Sequence, residues 1–144
     1  MSTELSRLFT VASKRWRAAT DEAMSRHGVR VGQNLLLEVL WQTDGLTPGE
    51  LASRLGVATP TVVKSAQRMQ AAGLLSKGRD PADRRLVRLH LTEHARGIQQ
   101  AIIDARAEVE ARATAELTPA EREHLASALA KIARAFAPEI ERTS

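Results

Sequence analysis

The 144-residue chain contains no cysteine, which excludes disulfide bridges, thiolate metal sites and thiol-based redox sensing. It has no apolar run near the roughly 18 residues that a membrane span needs. The opening MSTELSRL lacks the apolar core of a signal peptide. The expectation is a soluble, cytoplasmic protein with no membrane partner.

Catalytic signatures are missing as well. There is no nucleophile elbow, no glycine-rich phosphate loop and no H-E-x-x-H motif. Histidine occurs only four times. His90 and His94 stand four apart, but Thr92 lies between them at an expected strand-to-helix junction, so they do not share a helix face. An enzyme and a metal-responsive regulator are both disfavoured, and no cofactor or metal is expected. Internal repeats and low-complexity tracts are absent; the alanines of residues 101–137 reflect helix propensity and close packing.

What remains is one domain's length of chain, enough to bury a core without staples. Lys and Arg number 21 against 17 Asp and Glu, for a net charge of +4. The distribution matters more than the total. From Lys77 to Arg88 five cations (Lys77, Arg79, Arg84, Arg85 and Arg88) face two carboxylates (Asp80 and Asp83), a local charge of +3. Such a cluster favours phosphate-bearing partners over a merely solvated loop.

The stretch Leu46 to Thr92 organises everything else. Thr47-Pro48-Gly49-Glu50 is a capping box with proline at the first helical position. Its helix, Pro48 to Leu55, ends at Gly56, which can take the positive φ of a tight turn. Thr59-Pro60 repeats the cap-plus-proline signal for a helix from Pro60 to about Ala72. Two helices about four residues apart with glycine in the turn make a helix-turn-helix. Leu51, Leu55, Val57, Val62, Ala66 and Met69 supply its apolar contacts, and Ala52 is small where the helices cross. After Gly73, Leu74 and Leu75 begin a strand, and the loop Gly78 to Asp83 holds turn formers. Val87, Leu89 and Leu91 then alternate with Arg88 and His90, the period of a half-buried strand. The pair forms a β-hairpin wing.

Helices flank this stretch. From Glu4 to about Arg26, Leu5, Leu8, Phe9, Ala12, Trp16 and Ala19 recur at steps of three and four, and Gly28 stops the helix. A second helix, Gly32 to Gln42, points Leu36, Leu37 and Leu40 inward and is closed by Asp44-Gly45. Thr92-Glu93 caps a long helix to about Ala115 carrying Ile98, Ile102, Ala105 and Val109. Thr118-Pro119-Ala120-Glu121 is another capping box, and its helix carries Leu125, Leu129, Ile132, Phe136 and Ile140 before Pro138 loosens its end. The first helix and the last two lack partners within so small a domain. They are expected to cover each other across a two-fold axis in an obligate dimer.

Together with His27-Gly28-Val29, Gln33, Leu51-Ala52 to Gly56 and Ala72-Gly73-Leu74, the wing residues Asp83 and Arg85 followed by Leu91-Thr92 carry a family likeness. The chain resembles the MarR family of bacterial transcription regulators, over essentially its whole length. The resemblance implies a mainly α fold with a small β-hairpin wing: a winged helix-turn-helix in a six-helix homodimer. Residues 1–144 would form one domain, with 31–91 the DNA-binding lobe and 1–30 and 92–144 the dimerisation helices. It further implies that the helix Pro60 to Ala72 enters a major groove and Arg85 the adjacent minor groove of double-stranded operator DNA. Thr59, Pro60, Thr61, Lys64, Gln67 and Arg68 become the major-groove residues, with Val63 beside them. Helical spacing agrees, since Val62, Ala66 and Met69 must face the core. Lysine can serve guanine acceptors or phosphate. Asp83 is expected to position an arginine within the wing, Arg85 to read the narrow groove, and Arg79 and Arg84 to meet phosphates. A regulatory pocket for a small-molecule effector, often an aromatic acid, is also implied, with Trp16, Arg17 and Asn34 as candidates. Asn34 departs from the family's commoner aromatic at that position. A winged-helix module that binds protein is the other reading; it need not keep both Lys64 and Arg85.

Overall fold

The computed structural model describes residues 3–137. It divides into two compact units, one reaching Val109 and one beginning at Glu110. The first opens with α1 (Glu4–Ser25) and α2 (Gln33–Gln42). Next come α3 (Pro48–Leu55) and α4 (Thr59–Ala71), then the strands β1 (Leu75–Arg79) and β2 (Val87–Leu91), and finally α5 (Glu93–Gly97) and all but the last turn of α6 (Gln99–Ala113). The second unit is built on α7 (Pro119–Ala135). Among the described residues no helix is long and apolar enough to cross a membrane.

The core of the first unit follows from the helical and strand periods. Leu37 and Leu40 of α2, Leu51 of α3, Val62, Ala66 and Met69 of α4, Leu89 of β2 and Ile102 of α6 are all buried, joined by Met24 and Val29. Each leucine withdrawn from water in this way contributes roughly 1.5–3 kcal/mol. The hairpin is antiparallel, with Leu75 paired to Leu91 and Arg79 to Val87. Leu46 forms a single bridge to Leu89 on the other side of β2, so the backbone just before α3 is hydrogen-bonded to the wing. Trp41 of α2 is tied to α5 by its indole N–H, which donates to the Ala95 carbonyl at 3.3 Å.

The start of α3 is the capping box read from the sequence. Thr47 Oγ1 accepts the Glu50 N–H at 3.1 Å, and Glu50 Oε1 accepts the Thr47 N–H at 3.3 Å. Gly56 closes the helix in the left-handed region at φ 68. The next helix departs from expectation. Thr59 is inside α4 and Ala58 is its N-cap, with no side-chain capping bond. A Thr-Pro pair fits N1–N2 as readily as cap–N1, because N1 to N3 all have N–H groups without intrahelical partners. The Thr59 hydroxyl is thereby free of the backbone.

Two further differences concern the wing and the helix after it. β1 continues through Gly78 and Arg79, so the loop is 80–86 rather than Gly78 to Asp83. The long helix expected from Glu93 to Ala115 is broken after Gly97, at Ile98, and ends at Ala113. Glycine weakens a helix by about 1 kcal/mol relative to alanine, and the break falls where it sits. Seven helices therefore stand among the described residues where six were expected.

In the second unit, α7 opens on the Thr118–Glu121 capping box. The Arg122 guanidinium closes the preceding turn by donating to the Thr114 carbonyl at 3.0 and 3.3 Å. No residue of α7 is buried, and Leu125, Leu129 and Ile132 are exposed. Pro138 and Ile140, read as the loosened end of this helix, lie outside the described residues.

Candidate nucleic-acid interface

The inward face of α4 is fixed by Val62, Ala66 and Met69, each almost wholly buried. At about 100° per residue, Pro60, Lys64 and Gln67 then point most directly away, flanked by Thr61 and Arg68 on one side and Val63 on the other. All of these and Thr59 are exposed. Among the described residues, none of the Thr59, Thr61, Lys64, Gln67 or Arg68 side chains makes a hydrogen bond or ion pair. This helix presents an uncommitted polar face with two cations.

The wing loop is organised by its carboxylates. Asp80 Oδ1 accepts the N–H groups of Ala82 and Asp83 at 2.7 and 3.1 Å. Asp83 accepts from Arg85 three times: the backbone N–H and Nε to Oδ1 at 3.1 Å each, and Nη2 to Oδ2 at 3.3 Å. Asp83 thus holds Arg85, whose side chain is nonetheless 91% exposed. The arginine's hydrogen bonds keep the Asp83 carboxyl below its ordinary range. Arg84 is exposed. Arg79, expected at a phosphate, lies in β1, and one of its nitrogens donates to the Arg84 carbonyl at 2.7 Å. It buttresses the loop from within.

Two groups have roles that the sequence did not reveal. Arg88 donates to Asp80 Oδ2 at 2.7 Å, to the Gly45 carbonyl at 2.9 Å and to Glu50 Oε1 at 3.5 Å. Its bond holds Asp80 below the usual carboxylate range, and Asp80 in turn raises Arg88. Asp44 accepts the Leu91 N–H at 2.9 Å and the Arg96 guanidinium at 2.7 Å, joining the end of β2 to α5. The spacing of these charges carries no signal, since the partners are brought together only by the fold.

A cleft of about 610 Å³ opens between α1 and α4, lined by Lys14, Arg17, Asp21, Arg30, Ser65 and Arg68 among others. Its one carboxylate, Asp21, is neutralised by the Arg30 fork at 2.9 Å on both oxygens and by the Val31 N–H at 3.0 Å. The Val31 bond is the largest cause of its lowered pKa. Lys14 and Arg68 make no hydrogen bond or ion pair among the described residues, and Arg17 acts on Asp21 only through its charge. Of the three pocket candidates, only Arg17 lines this cleft. Trp16 is exposed elsewhere on α1. Asn34 is buried, with its Oδ1 accepting the Gly32 N–H at 3.0 Å, so it serves the start of α2 instead.

A helix-turn-helix with an open polar second helix, followed by a hairpin that presents a held arginine, defines a winged helix-turn-helix protein. The model described as the MarR family matches residues 27–86. The chain is 34% identical over 76 residues to the HTH-type transcriptional regulator TtmR of Methylorubrum extorquens, covering 53% of this chain and 39% of that protein. It is 33% identical over 87 residues to the uncharacterized HTH-type transcriptional regulator YsmB of Bacillus subtilis, covering 60% of each. The matched segment thus spans about two fifths to three fifths of these relatives. Among solved structures, a cysteine-to-serine mutant of MarR from E. coli complexed with operator DNA is similar at a TM-score of 0.80 and 23% identity, covering 90% of this chain and 93% of that one. Bordetella bronchiseptica BpsR, described with regulation of its DNA binding by 6-hydroxynicotinic acid, is similar at 0.78 and 23%, covering 90% and 98%. Residues 27–86 are thus similar to the MarR family, and the relatives that the chain matches are described as HTH-type transcriptional regulators.

Proposed function

We propose that this protein is a homodimeric transcriptional regulator that binds double-stranded operator DNA sequence-specifically and acts as a repressor. The observation that carries the reading is the pairing of two exposed basic elements: Lys64, Gln67 and Arg68 on the open face of α4, and Arg85 held outward by Asp83. Lys64 suits guanine acceptors and Gln67 suits adenine in a major groove, while Arg85 suits the negative potential of a narrow minor groove. Thr59 and Thr61 contribute hydroxyls, Pro60 shapes the leading end of the helix, and Arg84 meets phosphate. A winged module specialised for protein has no need of both cationic elements.

Dimerisation accounts for the apolar side chains that each unit leaves exposed: Leu5, Leu8 and Phe9 on α1, and Leu125, Leu129 and Ile132 on α7. A two-fold assembly would set the two α4 helices about 34 Å apart, one DNA turn, and so require a pseudo-palindromic operator. An aromatic acid is the effector we favour. The Lys14, Arg17 and Arg68 cations of the α1–α4 cleft suit a carboxylate, and a relative whose DNA binding is regulated by 6-hydroxynicotinic acid supports that class. Such a ligand can shift DNA binding only by its differential affinity for the bound and free conformations.

The test is selection of binding sites from random DNA, followed by titration of the enriched site at several salt concentrations. Wild type should bind an inverted repeat. Arg85→Ala and Lys64→Ala should each reduce the slope of log affinity against log salt by about 1 for every phosphate they cease to neutralise, and Lys64→Ala should relax base preference if it reads bases. Failure to enrich any sequence, with both variants indistinguishable from wild type, would instead favour a protein-binding module.

A further inference from the structure

We propose that Arg88 is a positioning residue for DNA recognition, locking the wing to the start of α3 so that Arg85 keeps a set placement relative to α4. This rests on the DNA-binding reading above. A two-stranded hairpin is marginal on its own, so a wing that must present an arginine accurately needs outside ties. The backbone supplies one, the single Leu46–Leu89 bridge. Asp44 holds the base of β2 through the Leu91 N–H, and Arg88 supplies the tie that reaches the wing loop.

Its guanidinium lies among three oxygens from three parts of the lobe: Asp80 of the wing loop at 2.7 Å, the Gly45 carbonyl at 2.9 Å, and Glu50 in the first turn of α3 at 3.5 Å. The side chain is only 31% exposed, against 91% for Arg85. From Arg88 the chain of contacts runs outward. Asp80 holds the amides of Ala82 and Asp83, and Asp83 holds Arg85. Inward, Glu50 closes the capping box of α3, the helix that packs on α4. Five donors in a rigid planar fork can serve several oxygens at once, whereas a lysine ammonium is a single point. Arg88 therefore contacts no DNA in this scheme, yet sets where Arg85 enters. Without the tie the wing loop is free to wander on its anchored strands, and the ordering it then needs on binding weakens affinity.

Two variants, Arg88→Ala and Arg88→Lys, test this in the full chain. Without DNA, hydrogen exchange at the Ala82, Asp83 and Leu86 amides should accelerate in Arg88→Ala while the α4 amides exchange as in wild type. With the selected operator, hydroxyl-radical protection should fade at the minor-groove flanks and persist over the major-groove half-sites, with affinity roughly tenfold weaker or more. Adding Arg85→Ala to Arg88→Ala should then weaken binding less than Arg85→Ala does in wild type. Additive losses would overturn the proposal, as would unchanged wing exchange. A lysine that restores the wild-type footprint would reduce Arg88 to a charge and overturn it equally. If wild type binds no DNA while Arg88→Ala still loosens the wing, the tie to α3 stands and the DNA reading falls, taking the role in recognition with it.

Discussion

Gly56→Ala isolates the conformational demand of the helix-turn-helix corner. Gly56 sits at φ 68 and ψ 32, and a Cβ built there meets nothing within 4 Å. The penalty is therefore purely that of an L-residue in the left-handed region, about 1–2 kcal/mol. Alanine also stiffens the unfolded chain, which returns about 0.4–1 kcal/mol. The net loss is about 1 kcal/mol, a fall in Tm of roughly 2–4 °C for a chain of this size. Gly45→Ala is the informative companion: φ is 75 there too, but the added Cβ comes within 3.1 Å of the His90 ring. That ring must shift, adding about 0.5–1.5 kcal/mol if it is pushed off its rotamer. Thermal unfolding followed by circular dichroism at one fixed protein concentration measures both. Gly45→Ala should fall further than Gly56→Ala, and His90→Ala should remove the difference when measured from its own background. An unchanged Tm in Gly56→Ala would refute the left-handed turn; an equal fall for both glycines would refute the steric role of His90.

Other consequences reach different parts of the chain. Leu51 is fully buried, so Leu51→Ala should lower stability by about 2–5 kcal/mol in urea unfolding with little change in m; a loss under about 1 kcal/mol would mean that α3 is not packed as described. The carboxyls of Asp21, Glu50, Asp80, Asp83 and Glu121 are all lowered in the folded chain. Folded pKa values below unfolded ones give stability that is full above the ordinary carboxylate range and lost as pH falls through the folded values. Melts between about pH 7 and pH 3 should decline toward acid, and Asp80→Asn should decline less steeply; a flat profile in wild type would contradict the pairing. If α7 lies at a dimer interface, Leu129→Glu should convert dimer to monomer by light scattering while leaving helical content in place, and an unchanged mass would count against that interface.

How much of this was legible depended on whether the signal was local. Thr47 to Glu50 and Thr118 to Glu121 were readable as capping boxes because both partners lie within one turn. The burial of Val62, Ala66 and Met69 followed from the helical period, and the hold of Asp83 on Arg85 from two neighbouring residues. Thr59 was misplaced by one position because proline is tolerated at several first-turn sites, and no second reciprocal partner pinned the cap. The break at Gly97 was hidden by apolar residues that keep their rhythm across it. Asn34 looked like a ligand-facing group, yet its side chain closes a turn two residues back, a role that asparagine fills without any periodic mark. Arg88 was least legible of all. Its partners Gly45 and Glu50 are 43 and 38 residues away, and nothing in a linear pattern joins them.

The hairpin also determines how copies of this protein avoid one another. β2 is flanked by β1 on one side and bridged by Leu46 on the other, which leaves the outer edge of β1 as the free edge of the sheet among the described residues. That edge is five residues long and carries Lys77 and Arg79, with Pro81 soon after. A strand approaching from a second molecule would meet too few backbone groups and like charges facing like. The cations near the tip of the wing thus guard against runaway strand addition, and replacing Lys77 and Arg79 with threonine or valine would turn a solubilising edge into a sticky one.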